Sequence, residues 1–173
     1  MKGTLLAIKA EGAIRSVGVA NYTIADYGEL ADSAGLQDWW EPPAVNQIEM
    51  NPFLFRKQTV DFFQGAGVHV QGYRTLKQGG AEALSDPTVL AASNKFQRTA
   101  SQVLGRWCVQ HGVSVVTKSA RKERMRENAQ IFDFELDTAS MSELDSLTTP
   151  EAITDFQTLY EKCIVRDTPL AAP

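Results

Sequence analysis

The sequence predicts an α/β fold built from parallel βα units, and three observations carry that expectation. Four short segments rich in β-branched residues recur along the chain, at 13–20 (AIRSVGVA), 44–49 (AVNQIE), 68–73 (VHVQGY) and 113–117 (VSVVT). Each is followed by a stretch whose apolar residues recur at helical spacing. The strands lie roughly 25–45 residues apart, enough for a helix to return the chain so that successive strands pair in parallel.

The elements follow in order. Residues 5–11 read as a short helix closed by Gly12, a residue suited to the left-handed turn past a helix end. After the first strand Asn21 ends the extended run, Thr23 is the candidate N-cap, and Tyr27 and Leu30 share a helical face. The run Trp39-Trp40-Glu41-Pro42-Pro43 breaks that helix and delivers the chain into the second strand, which Asn51-Pro52 ends. Residues 58–64 form the next helix, with Val60 and Phe63 three apart, stopped by Gly65-Ala66-Gly67. The third strand leads into a loop rich in Gly and Gln, Lys77-Gln78-Gly79-Gly80. Asp86-Pro87 then has the pattern of an N-cap followed by proline at the first helical position, opening a helix through Lys95.

Thr99-Ala100-Ser101-Gln102 fits a capping box, and the helix behind it stacks Ala100, Val103, Leu104, Trp107 and Cys108 on one face. Gly112 ends it ahead of the fourth strand. A basic helix start follows with Lys118, Arg121, Lys122, Arg124 and Arg126, then an extended linker with Phe132 and Phe134. Ser140-Met141-Ser142-Glu143 reads as a second capping box with Leu144 and Leu147 behind it. Beyond Pro150 the pattern weakens to a helix over 155–162 and a fraying Ala/Pro terminus. The expected division is therefore a βα domain over 1–149 and a C-terminal tail over 150–173.

Composition bounds the function. With 173 residues, 43% hydrophobic and 22% charged, the chain suits one globular domain and excludes disordered, collagenous and coiled-coil classes. A net charge of −4 without a dense Lys/Arg block argues against a nucleic-acid partner. Two cysteines, Cys108 on an apolar helix face and Cys163 in the tail, read as reduced thiols. No apolar run suits a signal peptide or approaches the ~20 residues of a membrane span, so a cytoplasmic protein without a membrane partner is expected. Neither His69 nor His111 has a partner at ligand spacing, so no metal site is expected. Dinucleotide Rossmann, Walker and Ser-His-Asp patterns are absent from the sequence.

Two all-parallel architectures suit the pattern, a doubly wound sheet or part of a barrel, and both bind ligands at the C-terminal strand ends. Those ends carry Asn21, Gln47, Tyr73 and Lys118 in order. Two carboxamides can pair with an amide, an aromatic ring can stack on a planar one, and cations at a helix N-terminus invite a phosphate. Each has a structural alternative: a turn-forming Asn, a Gln satisfied by backbone, a core Tyr, and arginines paired with Glu123 and Glu127 on a solvated helix face.

Three segments resemble aldo-keto reductases. Ile14-Arg15-Ser16-Val17-Gly18-Val19-Ala20-Asn21-Tyr22 is similar to the family's IRSIGVSNF. The run from Ala44 to Phe53 (AVNQIEMNPF) is similar to its PAVNQIELHPY, and Thr117-Lys118-Ser119 through Arg124-Met125-Arg126-Glu127-Asn128 to its PKS…RIREN. The resemblance spans about Leu5 to Leu147 with the motifs in the family's order. It implies strands five to eight of a (β/α)8 TIM barrel, the C-terminal half, with NADPH across the strand ends. Asn21 and Gln47 would hold the nicotinamide carboxamide, Tyr73 would stack on its ring, and Leu76 would lie by the pyrophosphate. Lys118, Ser119 and Arg124 would grip the 2′-phosphate, and Glu127 and Asn128 would reach the adenine.

The sequence departs from the family at Ala20, where a serine is usual, at Asn51-Pro52 in place of His-Pro, and at Gly72-Tyr73-Arg74-Thr75-Leu76 in place of AYSPL. Arg74 either contacts the pyrophosphate or alters the loop. The larger departure concerns catalysis. The resemblance places the family's Asp, Tyr, Lys and His tetrad on its first four strands, so no catalytic residue is assigned here. A complete barrel takes about 250 residues. The expectation is thus a truncated NADPH-dependent oxidoreductase of carbonyl compounds, inactive unless completed by an N-terminal half. The alternatives are a non-catalytic NADPH-binding module, as a dimer covering its open sheet edges, or a subunit that completes a partner chain's barrel.

Overall fold

The computed structural model describes residues 2–35, 41–77 and 81–167. Its centre is a four-stranded parallel sheet whose spatial order, β1-β2-β3-β4, follows the chain: β1 Val19–Ala20, β2 Val45–Glu49, β3 His69–Tyr73 and β4 Ser114–Val115. Around it lie α1 Lys2–Ala10, α2 Ile24–Gly35, α3 Lys57–Gly65, α4 Ala81–Ser85, α5 Pro87–Phe96, α6 Ala100–Gln110, α7 Lys122–Ala129, α8 Thr138–Asp145 and α9 Pro150–Asp167. The expected α/β order of parallel βα units is present.

The helix starts obey local rules. At α2, Asp26 accepts the backbone N–H of Thr23 while the Thr23 hydroxyl accepts that of Asp26, a reciprocal cap. Asp86 accepts the N–H groups of Thr88 and Val89 ahead of Pro87, and the Thr99–Gln102 capping box is formed on both sides. Gly12, Gly67 and Gly112 take positive φ where α1, α3 and α6 end.

Strand alternation divides the sheet into two unlike faces. On one, Asn46 and Ile48 of β2, Met50 just past its end, and Val70 and Gly72 of β3 are buried. They belong to a core that includes Val60 and Phe63 of α3 and Val103, Leu104, Trp107 and Cys108 of α6. Trp107 is fully buried, stacks edge-on against Phe55, and donates its indole N–H to Asp145 at 2.7 Å. The other face carries Val45, Gln47 and Glu49 on β2 and His69, Gln71 and Tyr73 on β3, none of them buried. It is a polar face, crossed by hydrogen bonds from Gln47 to Gln71 at 2.6 Å and between His69 and Ser114 at 2.8 Å.

Several sequence expectations need correction. The first and fourth strands, expected over 13–20 and 113–117, keep only two ladder residues each, because only Val19 and Ala20 come into register with β2 and only Ser114 and Val115 with β3. Single bonds from Ala44 N to Val17 O, from Asn21 N to Gln47 O and from Val116 N to Gly72 O extend them. The capping box expected at Ser140 does not form. Asp137 caps α8 instead by accepting the Ser140 N–H, which places Ser140 inside the helix and buries it. The last helix begins at Pro150, earlier than 155, since Thr149 Oγ1 accepts the Ala152 N–H. Helix α4 was not expected. Trp39, Trp40, Gln78, Gly79, Gly80 and the Cys163 side chain lie outside the described residues.

Candidate functional site

The C-terminal ends of β3 and β4 open onto a cavity of about 500 Å³ lined by Tyr73, Arg74, Thr75, Leu76, Val116, Thr117 and Lys118. Tyr73, Leu76 and Lys118, three of the residues singled out from sequence, therefore share one space. Tyr73 connects it to the end of β1, for its phenol donates to Asn21 Oδ1 at 3.3 Å. Asn21 has φ of 57°, the left-handed region that Asn tolerates better than most residues. Its N–H is held by Gln47 O at 2.8 Å.

Gln47 lies in mid-strand opposite Gln71, two residues short of the end of β2. Its side chain is on the polar face with that of Tyr73. The side-chain donor is already paired with Gln71, so its carboxamide orientation is fixed, and backbone does not satisfy it as the structural alternative supposed. Asn21, Gln47 and Tyr73 thus lie on one side of the sheet.

Two residues that sequence reasoning missed hold the loops that carry this group. Asn46, fully buried, donates to Tyr22 O at 3.0 Å and accepts the Tyr22 N–H at 3.3 Å, fixing the turn after β1. Asn51, equally buried, donates to Arg74 O at 3.2 Å and accepts the Phe53 N–H at 3.1 Å, fixing the turn after β3. The signal was available: an Asn on the buried face of a strand must find partners or lose its hydrogen bonds.

The basic run after β4 is exposed. Among the described residues, Lys118, Lys122, Arg124 and Arg126 have no ion-pair partner, so the pairing with Glu123 and Glu127 offered as the structural alternative is not formed. Arg121, at the N-cap of α7, makes no side-chain cap bond, which leaves that helix start open. Ser119 Oγ accepts the Arg121 N–H at 3.2 Å. Glu127 accepts the Thr99 hydroxyl at 2.6 Å, tying α7 back to the start of α6. Asn128 lines a second cavity with Val113, Met125 and Ile131, which shares Thr117 with the first but does not include Tyr73. The segment after α7 is anchored by α6, where the guanidinium of Arg106 donates to Ile131 O and Glu135 and Gln110 pairs with Leu136.

Other titratable groups stand apart from the cavity. Burial pushes the Cys108 thiol well above its ordinary range, which keeps it an inert core residue. His111 shares Asp145 with Trp107, at 2.9 Å, and is a structural clamp on α8. Among the described residues no group of three or more His, Cys, Asp or Glu could hold a metal ion, and no helix is long and apolar enough to cross a membrane.

A model of the Aldo/keto reductase family matches residues 3–149. Glyoxal reductase of Bacillus subtilis (strain 168) is 34% identical over 143 residues, covering 83% of this chain and 49% of its own length. D-galacturonate reductase of Fragaria ananassa is 36% identical over 151 residues, covering 84% and 46%. Among solved structures, Gox0644 in its apo form superposes with a TM-score of 0.78 at 29% identity, over 86% of this chain and 52% of that one. A variant of Gox0644 in complex with NADPH gives 0.77 over the same shares. The chain spans about half the length of the curated relatives it matches.

Proposed function

The chain belongs to the aldo/keto reductase family, and from that premise we propose that its strand ends bind NADPH as the cofactor half of a reductase of carbonyl compounds. The observation that carries the proposal is the cavity joining Tyr73 to Lys118, with Asn21 hydrogen-bonded to Tyr73 at its rim. The residues present fit a nicotinamide dinucleotide chemically. Two carboxamides face one side of the sheet beside an aromatic ring, and among the described residues the cations after β4 and the buried Thr75 hydroxyl have no partner. A relative in structure is known in complex with NADPH.

In this reading Asn21 and Gln47 orient the carboxamide, and Tyr73 presents its ring face, held at a fixed tilt by its bond to Asn21. Leu76 walls the cavity beside the pyrophosphate. Lys118 and Arg124, with Ser119, take the 2′-phosphate at the open start of α7, where helix N–H groups add to the side-chain charge. Glu127 and Asn128 would meet the adenine, Glu127 with its carboxylate steadied by Thr99. Bound NADPH would supply the hydride. The phenol of Tyr73 is committed to Asn21, so the proton that the carbonyl oxygen needs would come from a group on another segment.

A second reading rests on the sheet itself. Among the described residues β1 and β4 each have a single neighbour in the sheet, so a second copy or a partner half-barrel would complete it.

Titration of NADPH and NADH into the purified 173-residue chain, followed by quenching of tryptophan fluorescence, tests the proposal. Lys118→Ala and Arg124→Ala should each weaken NADPH by about tenfold, as loss of one charge-assisted hydrogen bond implies, and leave NADH unchanged. Equal loss for both dinucleotides would overturn the phosphate assignment. Turnover of a simple aldehyde by this chain alone would overturn the assignment of the proton donor to another segment.

A further inference from the structure

We infer that Gln71 is a positioning residue whose bond to Gln47 makes the strand-end site select a primary amide over a carboxylic acid. The inference rests on the dinucleotide reading above and adds to it a residue that acts through Gln47.

Register sets Ala20, Gln47, Gln71 and Ser114 in one row across the four strands. Residues in register in a parallel sheet share a face, so the row lies on the polar side. Within it Gln47 has two neighbours. Ala20, on one side, offers no polar side-chain atom, whereas Gln71, on the other, accepts the Gln47 Nε2 hydrogen bond at 2.6 Å. Ser114, beyond Gln71, pairs its hydroxyl with His69 at 2.8 Å. Among the described residues Gln71 is therefore the only side chain bonded to that of Gln47. Asn21 follows Ala20, and its backbone N–H donates to Gln47 O at 2.8 Å, which brings the two carboxamides of the site side by side.

A carboxamide donates from one end and accepts at the other. The phenol of Tyr73 donates to Asn21 Oδ1 at 3.3 Å, which leaves the Asn21 NH2 to donate. Gln71 takes the Gln47 Nε2, which leaves the Gln47 oxygen to accept. One donor beside one acceptor is the complement of a primary amide, whose oxygen takes a hydrogen from Asn21 and whose NH2 gives one to Gln47. A carboxylate has no hydrogen to give. Its second oxygen would face the Gln47 oxygen, two acceptors with no proton between them. Turning Gln47 over alone would set its oxygen against that of Gln71 instead, so admitting the acid requires both glutamines to turn together. Gln71 thus decides which ligand end fits from one strand away.

The test titrates the 173-residue chain with NADP+ and its nicotinic acid analogue by tryptophan fluorescence, and with adenosine 2′,5′-bisphosphate by calorimetry. The wild-type chain should prefer NADP+ to the analogue by about tenfold or more, since the acid loses one hydrogen bond and leaves an acceptor facing an anion. Gln71→Leu should reduce that preference by about tenfold, because Gln47 then turns freely. Gln71→Glu, which can only accept, should keep the preference within about threefold of wild type. The bisphosphate, which has no amide end, should bind all three chains alike. An unchanged preference in Gln71→Leu, or an equal loss of it in Gln71→Glu, would overturn the inference and leave dinucleotide binding intact. Parallel weakening of all three probes in both variants would overturn it as well, as the mark of a residue that only supports the fold. No binding of any probe to the wild-type chain would defeat the dinucleotide reading together with this one.

Discussion

Gly18 immediately precedes β1 and lies close against Val45 of β2, and replacing it with alanine tests how firmly the first site residue is held. A Cβ at this position would lie 2.9 Å from the carbonyl oxygen and 3.3 Å from the Cβ of Val45. Favourable carbon contacts lie near 3.5–4.0 Å, so the methyl intrudes by roughly 0.6 Å into backbone that cannot rotate aside. Overpacking of that kind typically costs about 1–3 kcal/mol. The strain has an obvious outlet, because β1 has a neighbour on one side only and is held to β2 by few bonds, among them Ala44 N to Val17 O and Asn21 N to Gln47 O at 2.8 Å each. Gly18→Ala should therefore displace β1 before it unfolds the domain. The Asn21 and Ala44 amides should exchange roughly 5- to 150-fold faster, the factor that this energy implies for local opening. The melting temperature should fall by about 2–4 °C per kcal/mol that reaches the global transition. Hydrogen exchange read amide by amide, beside thermal denaturation, measures both. Unchanged protection at Asn21 and Ala44 would refute the close-approach argument. Uniform loss of protection across β1, β2 and β3 would refute the view of β1 as a separately displaceable edge.

Two further outcomes concern stability. Asp86 caps α5 by accepting two backbone N–H groups, at 2.9 and 3.2 Å, so Asp86→Ala should cost about 1 kcal/mol in urea denaturation, whereas Asp86→Ser should retain most of it. Asp137, which caps α8, is lowered from 3.8 to about 2 by a side-chain bond from Lys95 and then by the Ser140 N–H. Its folded value lies below its unfolded one, so its contribution is complete above about pH 4 and is lost as the pH falls toward 2. Urea midpoints measured across that window should show a decline that Asp137→Asn flattens; an identical slope in the variant would refute the assignment.

Much of the fold was legible because its signals are local. The Asp86-Pro87 start, the Thr99–Gln102 box and the glycines ending α1, α3 and α6 depend on groups within four residues of each other, and all are present. The failures have one physical source. Ser140 reads as a cap from its own neighbourhood, but Asp137 reaches the same N–H, and Lys95, 45 residues away, bonds the Ser140 hydroxyl. Residues 13–20 have strand composition, yet a ladder needs a partner at each residue, and only Val19 and Ala20 find one, opposite Asn46 and Gln47.

The site shows the same division. Residue chemistry singled out Asn21, Gln47, Tyr73 and Lys118, because carboxamides, a ring and a cation at strand ends suit ligands of matching chemistry, and the family resemblance added Leu76. Nothing local says that Gln47 donates to Gln71, that Asn46 and Asn51 anchor turns 24 and 23 residues away, or that Glu49 takes the guanidinium of Arg74. Sequence by itself determined the order of the strands and of all helices but α4, the caps at Thr23, Asp86 and Thr99, and the donors available at the strand ends, because these follow from side-chain type and short-range spacing. The tertiary structure decided which donors share a cavity and which are already engaged. Those facts depend on sheet register and on which face each strand residue presents, and both are fixed only when distant segments pair.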